Sequence, residues 1–299
     1  MAIRMSVIVK RIGTRGTQRY FKDGLLHRED GPAIVHASGK KEYYLNGIRH
    51  RSDGPAIVHE SGKKEYYLNG LLHREGGPAV THVSGKKEYY FEGLLHREDG
   101  PAVIHRSGKR EYYIHGVRHR IGGPAILHSG GGEEYYVDGV LHRIDGPAWI
   151  LGKNFTKYYI DGVLHREDGP AITYPNGDEE YYLHGKLNRI DGPAVVKTSD
   201  SGATVKSWYK DGLLHREDGP AIVRSDGVYA YLKNGRLHRA EGEGPAVVHP
   251  DGTQEWYFHD MLHRANELPA VVRPNGTKEW FVYNHRFRFD DAPVIVYGY

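Results

Sequence analysis

The sequence predicts an all-β protein, an elongated antiparallel solenoid of about twelve β-hairpin repeats of 23 residues. Two observations predict it. A His-Arg dipeptide recurs every 23 residues from His27 to His165, and a fixed period of this size is typical of repeat architectures. Each repeat also has two short apolar stretches separated by turn signals, without a sustained helical period. A closed barrel or a propeller is the structural alternative.

The first apolar stretch of a repeat leads into a tight turn. Residues 65–68 (EYYL) are followed by Asn69 and Gly70, and Asn-Gly between apolar runs predicts a type I′ hairpin, whose central residues need positive φ. The glycine is replaced only by Asp260 and Asn284, residue types that tolerate this region. The substitutions therefore indicate that this position requires a backbone with positive φ.

The second apolar stretch is rich in β-branched residues. Residues 56–59 (AIVH) follow a Gly-Pro pair and end in Ser61-Gly62. The stretch is too short for a helix, and the recurrent proline indicates a strand start or a bulge, because proline cannot donate to a sheet ladder. We expect two strands per repeat and about 24 strands in all.

The regularity of the repeats divides the chain into three parts. We expect a degenerate N-terminal cap strand in residues 1–19 and a regular array in residues 20–240. The repeats of residues 241–299 diverge and should end in a C-terminal cap. Terminal repeats of such arrays are commonly atypical because they cover the exposed ends.

Composition excludes several classes of protein. Cysteine is absent from these 299 residues, so disulfides, cysteine-bound zinc, iron–sulfur clusters and thiol catalysis are excluded here. The net charge of +3 is too small to indicate nucleic acid by itself. No apolar run is long enough for a membrane span, and the first ten residues lack an apolar signal core. We therefore expect no transmembrane segment and a cytoplasmic location, without secretion by a classical signal.

The repeat pattern resembles a known family. Residues 158–162 (YYIDG) and 174–177 (YPNG) are similar to the opening and the close of MORN repeats, which are β-hairpin repeats of 23 residues. The His-Arg-x-Asp-Gly-Pro-Ala segment replaces the usual glycine-rich part, and this variant is similar to repeat proteins of bacteria, phages and large DNA viruses and to MORN-like antitoxins. The resemblance implies a scaffold that binds proteins or, in some members, membrane lipids. It implies no catalysis.

The repetition also argues against an enzyme. A catalytic site is a singular arrangement of different groups, whereas every reactive side chain here recurs in most repeats. We therefore expect no catalytic residues, no cofactor and no bound metal. The histidine of the His-Arg pair, which is replaced by Asn188 in one repeat, is expected to pack and to donate a hydrogen bond to the turn.

An arginine occupies one column of all twelve repeats. In nine of them an acidic residue follows two positions later, which favours an internal ion pair or a clamp on backbone carbonyls before the Gly-Pro bend. An anion-binding stripe is the alternative. These structural candidates are Arg28, Arg51, Arg74, Arg97, Arg120, Arg143, Arg166, Arg189, Arg216, Arg239, Arg264 and Arg288.

Two further columns are candidates for binding. The second residue of the aromatic pair either packs inside the array or lines a long groove for a partner. It comprises Tyr44, Tyr67, Tyr90, Tyr113, Tyr136, Tyr159 and Tyr182. The second residue of a basic pair after each turn forms a basic edge in the early repeats. It comprises Lys41, Lys64, Lys87 and Arg110.

These observations predict a non-enzymatic scaffold that binds another protein along one face or edge of the array. Three alternatives belong to other classes. One is an inhibitor or antitoxin-like binder in bacterial or phage conflict. Another is a binder of nucleic acid or anionic lipid, whose affinity falls steeply with salt. The third is a self-assembling structural protein, because exposed sheet edges invite pairing between chains.

Overall fold

The computed structural model describes residues 8–286 and 295–296, and these residues form β-strands and turns without a helix. The chain divides into two compact units, Met1–His142 and Arg143–Tyr299, here called the N-terminal and the C-terminal unit. No helix among the described residues is long and apolar enough to cross a membrane.

Each unit contains one antiparallel sheet, the main ladder, to which every repeat contributes two short strands. In the N-terminal unit its strands are Val9–Ile12, Gln18–Lys22, Ile34–Val35, Lys41–Glu42, Ile57–Val58, Lys64–Glu65, Val80–Thr81, Lys87–Glu88, Val103–Ile104, Arg110–Glu111, Ile126–Leu127 and Glu133–Glu134. Each strand pairs with the next one in this order, as in the pairs Val58 with Lys64 and Lys64 with Thr81.

The main ladder of the C-terminal unit has the same order of pairing. Its strands are Trp149–Leu151, Phe155–Lys157, Ile172–Thr173, Glu179–Glu180, Val195–Thr198, Thr204–Ser207, Ile222–Arg224, Tyr229–Ala230, Val247–Val248, Gln254–Glu255, Val271–Val272, Lys278–Glu279 and Ile295–Val296. Among the described residues, no pairing returns from the last strand of either ladder to its first. Each unit is therefore an open, solenoid-like hairpin array, and the barrel and propeller alternatives are excluded.

A second set of strands, the side hairpins, forms the tight turns. In the N-terminal unit they are Leu25–Leu26 against Gln18–Lys22, Tyr44–Leu45 with Ile48–Arg49, Tyr67–Leu68 with Leu71–Leu72, Tyr90–Phe91 with Leu94–Leu95, Tyr113–Ile114 with Val117–Arg118, and Tyr136–Val137 with Val140–Leu141. In the C-terminal unit they are Tyr159–Ile160 with Val163–Leu164, Tyr182–Leu183 with Lys186–Leu187, Tyr209–Lys210 with Leu213–Leu214, Leu232–Lys233 with Arg236–Leu237, Tyr257–Phe258 with Met261–Leu262, and Phe281–Val282 with His285–Arg286.

A typical repeat thus has four short strands, and the prediction of two was wrong. The chain changes its pairing partner at the first aromatic residue. The Tyr66 amide donates to the carbonyl of Ala79 at 2.7 Å, thirteen residues further on, while the Tyr66 carbonyl accepts from the His73 amide at 3.1 Å. One continuous strand is thereby split into Lys64–Glu65 in the main ladder and Tyr67–Leu68 in a side hairpin.

The side-hairpin turns have the predicted backbone. Asn69 and Gly70 have φ values of 49° and 85°, as a type I′ turn requires. At the two positions where glycine is replaced, Asp260 and Asn284 also have positive φ, at 68° and 65°. The backbone interpretation of this column is therefore confirmed.

The core is narrow and consists of one alanine and one β-branched residue per repeat. The alanine after the recurrent proline is 0% exposed at Ala33, Ala56, Ala79, Ala102, Ala125, Ala148, Ala171, Ala194, Ala221, Ala246 and Ala270. Along each main-ladder strand the next two residues alternate between the inner and the outer face. Ile57 and Glu65 face the core, and Val58 and Lys64 face outward.

Candidate functional site

The arginine column forms an internal clamp. The guanidinium carbon of Arg97 lies 4.0 Å from the centre of the Tyr89 ring, and Nε donates to Asp99 at 2.7 Å. A Cβ atom on Gly100 would lie 3.2 Å from the same guanidinium carbon. The glycine before each proline is therefore explained by close packing against arginine.

The clamp recurs with small variations. Stacking on the first aromatic residue, at 3.7 to 4.2 Å, is found for Arg28, Arg51, Arg74, Arg97, Arg120, Arg166, Arg189, Arg216, Arg239 and Arg264. The Nε–aspartate bond occurs at Arg28, Arg51, Arg97, Arg143, Arg166 and Arg216. The Arg97 hydrogen bond holds the pKa of Asp99 below its ordinary value. Arg288 lies outside the described residues.

A glutamate that the sequence interpretation did not single out recurs in most repeats. It is buried at Glu42, Glu65, Glu111, Glu180 and Glu279. Glu42 is 5% exposed and accepts hydrogen bonds from His36 Nε2 at 2.8 Å and Tyr44 Oη at 3.1 Å. Lys40 Nζ lies 2.8 Å from the same carboxylate. Burial by itself would raise the pKa of Glu42, but the bonds from Lys40, His36 and Tyr44 outweigh it and hold the pKa at about 2.

The tyrosine column supplies one of these bonds. Tyr67 donates to Glu65 at 3.1 Å, and burial followed by the charge of Glu65 raises the pKa of Tyr67 to about 12. All seven members are half-buried, namely Tyr44, Tyr67, Tyr90, Tyr113, Tyr136, Tyr159 and Tyr182. Hydroxyl–glutamate bonds are found at Tyr44, Tyr67, Tyr113, Tyr136 and Tyr182. These contacts support the packing interpretation of the column.

The two residues of each basic pair have different surroundings. The first one binds the buried glutamate, as Lys63 does with Glu65 at 2.7 Å. The second one is exposed on the outer face of the main ladder, and this basic row comprises Lys41, Lys64, Lys87 and Arg110. Its members lie on every second strand, so neighbours are about 9.6 Å apart. The outer-face residues between them are Val58, Thr81 and Ile104.

An exposed apolar row lies at the side-hairpin turns of the N-terminal unit. It consists of Leu25, Ile48, Leu71, Leu94, Val117 and Val140, which are 42 to 51% exposed. Each of the first five packs over the turn glycine of the next repeat; a Cβ on Gly70 would lie 3.1 Å from Ile48. The row is therefore continuous. We name it the tip row. The apolar residue that recurs after the turn glycine is the signal in the sequence that could have identified this row.

The histidine of the His-Arg pair connects neighbouring repeats. His73 Nδ1 accepts a hydrogen bond at 3.2 Å from the amide of Glu92 in the next turn, and His96, His165 and His215 accept in the same way. At these four positions the turn supplies a backbone N–H and the ring accepts, which reverses the predicted donation. At His27, His50 and His119 the same Nδ1 also lies 2.8 to 3.0 Å from a side-chain oxygen of the turn, on Asn46, Asn69 and Asp138. Over residues 8–286 no cluster of three or more His, Asp or Glu side chains could hold a metal ion.

Comparison with known proteins adds no relative. No protein-family model matches the chain, and no curated protein matches it significantly. Membership of the MORN-like family is therefore a proposal that rests on the repeat pattern and on the hairpin repeats themselves.

Proposed function

We propose that this protein is a non-enzymatic MORN-like scaffold that binds a protein partner along the tip row. The tip row is the single observation that carries the proposal. Contiguous exposed apolar surface is costly in water and marks interaction sites in soluble proteins. The repeated columns described above are occupied by internal contacts, which leaves the tip row as the extended apolar surface of the N-terminal unit.

The equivalent positions of the C-terminal unit provide a contrast. Lys186 and Arg236 replace apolar members there, and Lys210 and Lys233 lie on the partner strands of the same hairpins. In the N-terminal unit, residues 45, 68, 91, 114 and 137 on the partner strands are all apolar. The apolar row is therefore uninterrupted in the N-terminal unit and interrupted by charges in the C-terminal unit, a difference that a purely structural role of the column does not require.

The spacing of the tip row indicates the chemistry of the partner. Consecutive repeats are two strands apart, so the apolar side chains recur about every 9.6 Å. Seven residues of an α-helix rise about 10.5 Å. An amphipathic helix with an apolar residue at every seventh position therefore matches the row, and helix-in-groove docking uses such periodic anchors.

The proposal is tested with a double variant and a matched control. We expect Leu71→Lys with Leu94→Lys to weaken binding about a hundredfold, because two apolar contacts are lost and two charges are desolvated. The control changes Val163 and Leu213, equally exposed in the C-terminal unit, to lysine. Each protein is used to capture partners from the native host, and affinities are then measured by calorimetry. Equal capture by both variants would contradict the proposal.

The basic row supports a second candidate function, the binding of an anionic polymer or lipid surface. Four cations in register on one face are suited to repeated phosphate contacts. If this function holds, Lys64→Ser with Lys87→Ser lowers affinity for a single-stranded oligonucleotide or an anionic vesicle and flattens its salt dependence. Binding that does not change between low and high salt would exclude this candidate.

A further inference from the structure

The C-terminal unit contains a clamp whose loop is longer than in the regular repeats. In a regular clamp the proline follows the arginine by four positions, as Pro220 follows Arg216. Pro245 follows Arg239 by six positions. The next repeat advances five, from Arg264 to Pro269. Both arginines still stack on an aromatic ring and still donate Nη1 to the proline carbonyl, at 3.0 and 3.1 Å.

The longer loop removes the carboxylate from Arg239. In the regular clamp Nε binds an aspartate two positions on, as Arg216 does with Asp218 at 2.9 Å. Glu241 has the equivalent position, yet within the described residues it makes no ion pair with Arg239 inside 4.0 Å. Arg239 Nε is buried and has no hydrogen-bond partner among the described residues.

The neighbouring clamp also lacks its acid. Asn266 replaces the aspartate two positions after Arg264, and burial lowers the pKa of the Arg264 guanidinium. Two guanidinium groups of adjacent repeats therefore remain without the carboxylate contact that six regular clamps have. A buried donor without a partner costs free energy, so an acceptor that reaches it is favoured.

The two clamps border a cavity of about 160 Å³. Trp256, Phe258 and Leu268 form apolar parts of its wall, and Glu241 is the one carboxylate among its lining residues. Two regular notches differ, because they contain an aspartate that already binds an arginine, namely Asp99 with Arg97 and Asp218 with Arg216. A cavity of about 150 Å³ is large enough for benzene.

We infer that this cavity is a binding site for a small carboxylate that carries an aromatic or compact apolar group. Six regular clamps show which group the arginine Nε binds, namely a carboxylate oxygen at 2.7 to 2.9 Å. A ligand carboxylate supplies the acceptor that the longer loop has removed, and its apolar group packs against Trp256 and Leu268. The site lies in the C-terminal unit and does not depend on the tip row.

Benzoate is the probe for this site, and the tryptophan indole N–H signals in an NMR titration report binding. We expect a saturable shift of the Trp256 signal, with a Kd of the order of 1 mM or tighter. Trp208, in a regular clamp, serves as the internal reference and should not shift. Benzamide has the same shape without the charge and should bind at least about tenfold more weakly.

Two variants complete the test. Arg239→Gln should weaken benzoate binding about tenfold or more, whereas Arg216→Gln in a regular clamp should leave it unchanged. Deletion of Gly242 and Glu243 restores the regular spacing, Arg-Ala-Glu-Gly-Pro, and should abolish binding in a folded protein. The inference is overturned if benzoate gives no saturable shift, if benzamide binds equally well, or if the deletion variant binds like the parent.

Discussion

Acidification from about pH 5 to about pH 2 is expected to remove about 3 kcal/mol of folding free energy for each of two buried glutamates, Glu42 and Glu111. The pKa values of Glu42 and Glu111 are held at about 2, against an ordinary 4.5. A glutamate whose pKa is lower in the folded state than in the unfolded state stabilises the fold at pH values above its unfolded pKa. That stability is lost as the pH falls through 4.5 towards 2. Circular dichroism melts at a series of pH values measure the loss.

The matched variant for this prediction is Glu111→Gln. Glutamine keeps the shape and does not titrate in this range, so the acid-dependent loss of stability should be smaller by about 3 kcal/mol. The variant should also be less stable at pH 7, because Lys109 loses its charged partner at 3.0 Å. An unchanged acid dependence in this variant would show that the glutamate column does not control acid unfolding.

Replacement of a core alanine by leucine is expected to have the second large effect. Ala102 is 0% exposed, and its carbonyl accepts from the Tyr89 amide at 2.7 Å. Three additional heavy atoms have no space at this position, and overpacking of a close-packed core costs about 1–3 kcal/mol. The Tyr89 amide, which bonds to this carbonyl where the main-ladder strand meets the side hairpin, must also move. We therefore expect Ala102→Leu to lower the melting temperature and to expose amides of the flanking repeats to hydrogen exchange.

Glu98→Leu provides the control for this core variant. Glu98 lies in the same repeat on the exposed loop between arginine and aspartate, and Ile121, which occupies that position in the next repeat, is 84% exposed. The added leucine therefore meets solvent rather than core, and the change in stability should stay within about 0.5 kcal/mol. Equal destabilisation by both variants would contradict the assignment of the alanine column to the core.

The turn chemistry could be predicted from the sequence because it is local. Asn69 and Gly70 determine their own backbone, and the replacements Asp260 and Asn284 indicate positive φ without knowledge of the rest of the fold. The division of the aromatic strand at Tyr66 could not be predicted in this way. It depends on a hydrogen bond to Ala79, which lies thirteen residues further on in the chain.

The buried glutamate was missed for a different reason. Acidic residues are almost never fully buried unless they are paired, so a glutamate beside an aromatic pair does not by itself predict a core residue. Its partners recur at fixed distances, however. For Glu65 they are His59, Lys63 and Tyr67, and this combination of residues was a signal available in the sequence. The missing carboxylate contact of Arg239 could not be predicted from the sequence, since it depends on the path of a lengthened loop.

Within residues 8–286, the hydrogen bonds named above between repeats reach the adjacent repeat and go no further. His73 accepts from Glu92, Arg74 donates to the Tyr90 carbonyl and Gly93 donates to the Leu72 carbonyl. A repeat inserted within a regular stretch would meet the same partners on both sides, so duplication of a 23-residue segment requires no new kind of contact. Each duplication within the N-terminal unit would lengthen the tip row by about 9.6 Å. If the tip row binds a helix as proposed, the length of helix that it contacts can therefore change through repeat number alone, while every individual contact is kept.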